Sequence, residues 1–228
     1  MHIEVGVVEG AKMVLSYGTA VAAFAYLAKQ FVSTVKEIAY MSLMLRSVAT
    51  SLAVLMFFEV FPHQPVGVSE VHLILGSTLF LLFGVVPAAI GLAVGLLVQG
   101  LFFAPFDLPN YTINVTTLLV PLFSMAVLAK KIIPANVAYK DLAYAQVLKL
   151  SLAYQGGIVT WVVFWALYGQ GFTSENLAAV ATFSGAYMLV VLLEPLVDLA
   201  VLAGAKAVGG LKESSLFASR LYHETSAR

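Results

Sequence analysis

The first two residues, Met1 and His2, contain the atoms of a metal chelate. A free α-amine, the backbone nitrogen of His2 and its imidazole Nδ1 can close a five-membered and a six-membered ring around one ion. The three nitrogens share a plane and leave a position for a fourth ligand, which suits Ni(II) or Cu(II) and, less strictly, Co(II). Binding should depend steeply on pH, because the imidazole must be neutral and the amide must lose its proton. We expect Met1 to be retained, since its removal normally requires a small second residue.

His72 is a second candidate ligand, because it opens a hydrophobic segment and an ionisable side chain within a membrane span is a functional candidate. The alternative is an interfacial histidine that is hydrogen-bonded to a neighbour. The other histidines, His63 and His223, lie in a loop and in a charged C-terminal tail, and neither is assigned a role.

The composition predicts an integral membrane protein. Of 228 residues, 61% are hydrophobic and 11% are charged, whereas soluble domains carry about 25% charged residues. The net charge of zero argues against nucleic acid as a partner, and the absence of cysteine excludes disulfides and thiolate metal sites. The N-terminal ten residues contain Glu4 and Glu9 and lack the basic region of a signal peptide.

Seven hydrophobic segments approach or exceed the length of about 20 residues that a membrane-spanning helix needs. They cover residues 11–28, 38–61, 71–83, 87–103, 113–128, 142–167 and 177–208. The third is short, so we expect protein to shield its ends, and the seventh should continue beyond the membrane. No strand is predicted. The fold class is therefore an all-α membrane protein, a single domain of residues 1–228 built as a bundle of seven transmembrane helices that is embedded in the lipid bilayer.

The basic residues predict the orientation of this bundle, because short cytoplasmic loops carry the excess of Lys and Arg. Loops 62–70, 104–111 and 169–176 contain neither residue type. The basic side chains concentrate on the other side, at Lys29, Lys36, Lys130, Lys131, Lys140, Lys149, Lys206, Lys212, Arg220 and Arg228. The N-terminus is predicted outside and the C-terminus, with a tail of residues 209–228, in the cytoplasm. Residues 1–10 could extend about 30 Å and fold back into the bundle as a metal-binding loop.

Four motifs resemble a known family. They are Met1-His2-Ile3, Val71-His72-Leu73, the turn 82–89 with the sequence LFGVVPAA, and Ile113-Asn114-Val115. Over residues 1–120 the chain is similar to the CbiM/NikM family, the substrate-capture membrane subunits of energy-coupling-factor importers for cobalt and nickel. One departure is Glu4-Val5-Gly6, where the family usually has proline and glycine.

The resemblance implies that Met1, His2 and His72 bind the metal and that Asn114 orients a ligand or the N-terminal loop. It implies Co(II) or Ni(II) as the transported substrate, no permanently bound cofactor, and a location in the prokaryotic cell membrane. The implied partners are a transmembrane coupling subunit and ATPase subunits, and the chain itself has no Gly-x-x-x-x-Gly-Lys nucleotide-binding pattern. The chain is thus predicted to be a transporter subunit and not an enzyme. The alternatives are a membrane enzyme or an assembly protein with His72 in a catalytic or structural role.

Two further features concern packing. Arg46 and Glu194 both fall in the inner half of predicted spans, and we expect an intramembrane ion pair between them, since an unpaired charge there would be costly. Ala49 and Ala53 have the spacing of small residues at helix contacts and are a predicted contact with the coupling subunit.

Overall fold

A computed structural model describes residues 2–208 and 214–223 of the chain, most of them helical. The helices are α1 (Met13–Glu37), α2 (Tyr40–Glu59), α3 (Gly76–Phe83), α4 (Val85–Phe102), α5 (Tyr111–Ile132), α6 (Tyr144–Gln170) and α7 (Ser174–Ala207). Two strands, β1 (Gln64–Val66) and β2 (Ser69–Val71), form a hairpin, and 3-10 turns cover Gly10–Lys12, Pro105–Asn110, Tyr139–Asp141 and Ser219–Leu221.

Six helices within this described part are long and apolar enough to cross a membrane, namely all except α3. The prediction of an all-α, multi-pass membrane protein is confirmed. The third predicted segment, 71–83, differs from the others, because only its last eight residues form a helix. At 1.5 Å per residue α3 is about 12 Å long, so it cannot span a bilayer alone.

The irregular start of this third segment is enclosed by protein. Leu75 adopts a left-handed backbone conformation with φ of 56° immediately before α3, and Ile74 and Leu75 are buried. Gly76 packs against the Tyr154 ring of α6, where an added Cβ would overlap the ring. Non-helical backbone at membrane depth is tolerated only where it is buried in protein or lines a cavity, and residues 74–75 meet the first condition.

Helices α2 and α4 pack closely through small residues. A Cβ at Gly91 would overlap Thr50, and one at Gly95 would overlap Val54. The Thr50 hydroxyl also donates a hydrogen bond to the Pro87 carbonyl oxygen at 2.6 Å. The glycine pair of α4 therefore brings α2 and α4 into contact within the chain.

The hairpin is a correction to the sequence prediction, which contains no strand. Gln64 pairs with Val71 and Val66 with Ser69, and Gly67 makes the turn with φ of +64°. A glycine suits this turn because its backbone is left-handed and an added Cβ would overlap the Ala179 carbonyl of α7.

Residues 214–223 pack against the end of α3 that is distant from His72. The Ala218 N–H donates to the Leu82 carbonyl at 2.8 Å, and the rings of Phe83 and Phe217 stack with centroids 5.7 Å apart. Of the predicted tail, residues 209–213 and 224–228, with Lys212 and Arg228, lie outside the described residues.

Candidate metal site

The N-terminal segment extends the hairpin as a third, short edge. The Glu70 N–H donates to the His2 carbonyl at 2.9 Å and the Glu4 N–H donates to the Val68 carbonyl at 3.0 Å. Ile3 and Ser69 form an isolated antiparallel bridge, and the Ser69 hydroxyl donates to the His2 carbonyl at 2.8 Å. Main-chain pairing therefore fixes the position of His2 relative to β2, the strand that leads into His72.

Helix α5 holds the same segment from the other side. The Ile3 N–H donates to Asn114 Oδ1 at 2.9 Å, and the amide nitrogen of Asn110, just before the helix, donates to the Ile3 carbonyl at 3.2 Å. Ile3 and Asn114 are both buried. The contact places Asn114 one residue from His2, where the resemblance implied a supporting side chain.

The imidazoles of His2 and His72 lie face to face inside the protein. Their ring centroids are 5.7 Å apart with an angle of 22° between the planes, and His2 is 3% exposed and His72 2% exposed. Phe58 of α2 packs against both rings, at 6.1 Å from His2 and 4.9 Å from His72. Both nitrogens of His72 and Nε2 of His2 are buried, and none of the three has a hydrogen-bond partner among residues 2–208 and 214–223. Buried polar atoms are normally satisfied, so these orphaned nitrogens indicate a site built for a ligand.

Two carboxylates complete the surroundings of His2. Glu70 Oε2 lies 2.6 Å from His2 Nδ1, and Asp107 Oδ2 lies 3.8 Å from the same nitrogen. Burial lowers the pKa of His2, and the hydrogen bond to Glu70 only partly offsets this effect. Burial raises the pKa of Glu70, but the hydrogen bond with His2, together with nearby positive charge, outweighs burial and leaves this pKa below its usual value. The site therefore favours a neutral imidazole beside an ionised carboxylate.

His2, Glu70 and His72 each offer one ligand atom, and these atoms lie within 4.8 Å of one another. Imidazole and carboxylate are the ligand types that first-row divalent transition metals take in proteins. Met1, whose α-amine belongs to the predicted chelate, lies outside the described residues. The structure thus brings together two of the three predicted ligand residues and places the carboxylate of Glu70 close to both.

Residues 2–209 match the family CbiM, described as the cobalt uptake substrate-specific transmembrane region. The chain belongs to the CbiM family. The resemblance noted in the first 120 residues is confirmed and extends over most of the chain, and it identifies a multi-pass membrane protein of transition-metal uptake. No curated protein and no solved structure matches the chain.

The two carboxylates beside His2, Glu70 and Asp107, are not among the site residues predicted from the sequence. Glu70 precedes His72 by two positions on an extended segment, and side chains with this spacing point to the same face. That spacing was a usable signal for Glu70. Asp107 lies in the turn Pro105–Asn110, far from His2 in sequence, and the sequence alone carries no signal that the two are close.

The other two histidines of the CbiM chain lie outside the cluster. His63 is partly exposed in the loop before β1, although its ring centroid is 6.4 Å from that of His72. His223 is exposed in the C-terminal segment.

The predicted ion pair between Arg46 and Glu194 is wrong, because no ion pair joins these two side chains in the described structure. Arg46 Nε donates to the Ser215 carbonyl at 3.0 Å. Glu194 instead accepts hydrogen bonds from the backbone N–H groups of Ile74 and Leu75 and from the Gln155 amide. Counting along the helices estimated the depth of each residue but not the direction in which its side chain points.

The position of Glu194 explains how the broken third segment is tolerated. Backbone N–H groups at the start of a helix lack intrahelical partners, and the carboxylate of Glu194 accepts those of Ile74 and Leu75. One turn further along α7, Asp198 accepts hydrogen bonds from the hydroxyls of Ser77 and Thr78. These two carboxylates of α7 therefore hold the backbone that directly follows His72.

Ala49 and Ala53 are half-buried on α2, the helix that packs against α4. Their contact with a coupling subunit stays a prediction.

Proposed function

We propose that this chain is the substrate-capture subunit of an ATP-driven importer of the energy-coupling-factor type, with Co(II) or Ni(II) as its solute. We further propose that the ion is bound by the α-amine of Met1, the amide nitrogen and imidazole of His2, and the imidazole of His72. The observation that carries the proposal is the buried, stacked pair of imidazoles, with neither nitrogen of His72 hydrogen-bonded to a described residue, in a chain of the cobalt-uptake family.

The contacts of the N-terminal segment support this ligand set. A terminal chelate is useful only if the chain start is held inside the bundle, and pairing with β2 and Asn114 supplies that restraint. The His2 carbonyl is used in this pairing, whereas its amide nitrogen and Nδ1 are the atoms that the chelate requires. Proximity of prepositioned ligands lowers the entropic cost of binding the ion.

A seven-crossing arrangement with an outside N-terminus fits the packing. The non-helical residues 72–75 and α3 together run from the His2 site to Gly84, and α4 begins directly after it. Helix α4 then returns to the site at Leu96 and Gly100. The basic residues Lys36, Lys130 and Lys131 lie in the last turns of α1 and α5, at the opposite ends of those helices. With the positive-inside rule, the metal site faces the side from which an importer collects its solute.

ATP hydrolysis is assigned to a separate chain, because this one contains no phosphate-binding loop. Partner chains would include the ATPase subunits and a transmembrane coupling subunit, and Ala49 and Ala53 are our candidates for contact with the latter.

The proposal is tested by masking and then freeing the α-amine in one preparation. The purified protein is made with a short extension that a protease removes directly before Met1, and Ni(II) and Co(II) affinities are measured by chelator competition before and after cleavage. We expect no specific binding before cleavage and one tightly bound ion afterwards. Equal binding before and after cleavage would contradict the amine-based chelate.

A pair of histidine variants tests the fourth ligand. His72→Ala should weaken binding by more than roughly a hundredfold, since even residues that only support a metal ligand typically contribute 10–100-fold. His63→Ala is the matched control, because it removes a histidine whose ring lies 6.4 Å from that of His72 but is partly exposed. Similar losses in both variants would remove His72 from the ligand set.

A further inference from the structure

The carboxylate of Glu70 lies where the metal ion must enter. Its Oε2 is 2.6 Å from His2 Nδ1, the ring nitrogen that the proposed chelate uses. A hydrogen-bonded oxygen lies near the lone-pair direction of that nitrogen, and a bound ion would lie in the same direction at about 2.0 Å. An ion there would overlap the present position of Oε2, so the Glu70 carboxylate must either move aside from this line and bind the ion or leave the site.

Charge balance favours binding over departure. The proposed nitrogen set includes one deprotonated amide, so a divalent ion in that set retains one positive charge. His2 and His72 are almost fully buried, and an uncompensated buried charge is strongly unfavourable. One carboxylate makes the site neutral, and Glu70 is the nearest to Nδ1, since Asp107 is at 3.8 Å.

The backbone also limits how far Glu70 can withdraw. Its N–H is bonded to the His2 carbonyl at 2.9 Å, and Glu70 pairs with Pro65 in the hairpin. The Cα of Glu70 is thus held beside His2, and only side-chain rotation could remove its carboxylate.

We propose that Glu70 is an oxygen ligand of the bound ion and makes the site five-coordinate. This inference rests on the proposed nitrogen chelate and adds a specificity element to it. A planar field of four nitrogens stabilises low-spin Ni(II) most, whereas a fifth, oxygen ligand removes much of that advantage and suits high-spin Co(II). Glu70 therefore shifts the preference of the site from nickel towards cobalt.

The test uses purified protein with a free Met1, loaded without oxygen with one equivalent of Co(II) alone, and records its paramagnetic resonance and visible absorption spectra. We expect high-spin, five-coordinate Co(II) in the unmodified protein and low-spin, planar Co(II) in Glu70→Gln. Glu70→Gln should lose roughly tenfold or more in Co(II) affinity and much less in Ni(II) affinity. Glu59→Gln, at the end of α2 and outside the cluster, is the control and should retain the high-spin spectrum.

If Glu70→Gln does not fold, the Co(II) spectrum of the unmodified protein alone tests whether Glu70 is a ligand. Stoichiometric binding of low-spin, planar Co(II) by the unmodified protein would overturn the role of Glu70 and leave the nitrogen chelate intact. A high-spin spectrum that is the same in Glu70→Gln would also overturn it. A failure of the unmodified protein to bind either ion would remove both proposals together.

Discussion

Removal of the Asn114 amide should weaken metal binding although Asn114 is not proposed as a ligand. In Asn114→Ala the buried Ile3 N–H loses its acceptor at 2.9 Å, and an unsatisfied buried donor costs about 1–3 kcal/mol. This cost destabilises the conformation in which the N-terminal segment is docked against α5. Because 1.4 kcal/mol corresponds to a factor of ten, we expect Kd for Ni(II) or Co(II) to rise about 5- to 150-fold.

Two variants separate this effect from general damage to α5. Asn114→Asp keeps an acceptor oxygen and should retain most of the affinity. Thr117→Ala removes a buried hydroxyl of the same helix, which donates to the Ile113 carbonyl of its own turn, and it should leave the affinity nearly unchanged. The assay is chelator competition in detergent, with hydrogen exchange of the Ile3 amide as a direct readout of docking. Unchanged affinity and unchanged Ile3 protection in Asn114→Ala would refute the reasoning.

Three other predictions concern the backbone after His72, the competition between protons and metal for the ligand nitrogens, and the contact of the N-terminal loop with Gly169. Glu194→Ala leaves the Ile74 and Leu75 N–H groups and the Gln155 amide without their acceptor. Each of these three unsatisfied donors should cost about 1 kcal/mol or more, and each kcal/mol lowers the thermal unfolding midpoint by about 2–4 °C. The midpoint should therefore fall by about 6–12 °C. An equal fall in the exposed control Glu175→Ala would contradict this role of Glu194. Burial lowers the pKa of His2, so near pH 7 the protons released on metal binding come from the His2 amide and from the α-amine, whose pKa is about 7.7–8.0. The logarithm of the affinity should therefore rise by about two per pH unit near pH 7. Well above pH 8 the amine is already deprotonated, and the rise should be about one per pH unit. Competition titrations across this range that show no pH dependence would exclude an amide ligand. Gly169→Ala places a Cβ on the Val7 carbonyl oxygen and should displace the N-terminal loop and weaken metal binding. Gly185→Ala, with open space around it, should leave binding unchanged. The same Kd for both variants by isothermal titration would show that metal binding does not require the contact between the loop and Gly169.

The long helices could be predicted from hydrophobic runs because each crosses the bundle as one continuous apolar segment. The predicted segments 38–61 and 142–167 correspond to α2 (Tyr40–Glu59) and α6 (Tyr144–Gln170) with ends that differ by a few residues. The third segment could not be predicted in the same way. Ile74 and Leu75 are not helical, and their backbone N–H groups instead donate to the Glu194 carboxyl group, which is remote in sequence.

The candidate site could be predicted only in part. His2 and His72 follow from residue chemistry and from family resemblance, and the structure places their rings together. The strand pairing that joins them depends on three-residue strands, which carry no periodic signal of their own. Asp107 likewise reaches His2 only through the tertiary fold, and the direction of Glu194 is fixed by how α7 packs against residues 74–75.

The central claim is that one divalent ion is bound jointly by the N-terminal dipeptide and His72. Anomalous diffraction at the metal absorption edge, from crystals of protein loaded with one equivalent of Ni(II) or Co(II), tests it most directly. We predict a single peak about 2 Å from nitrogens of both His2 and His72, with the Met1 amine in its coordination sphere. A peak at His63 or His223, or one that contacts His72 without His2, would contradict the account.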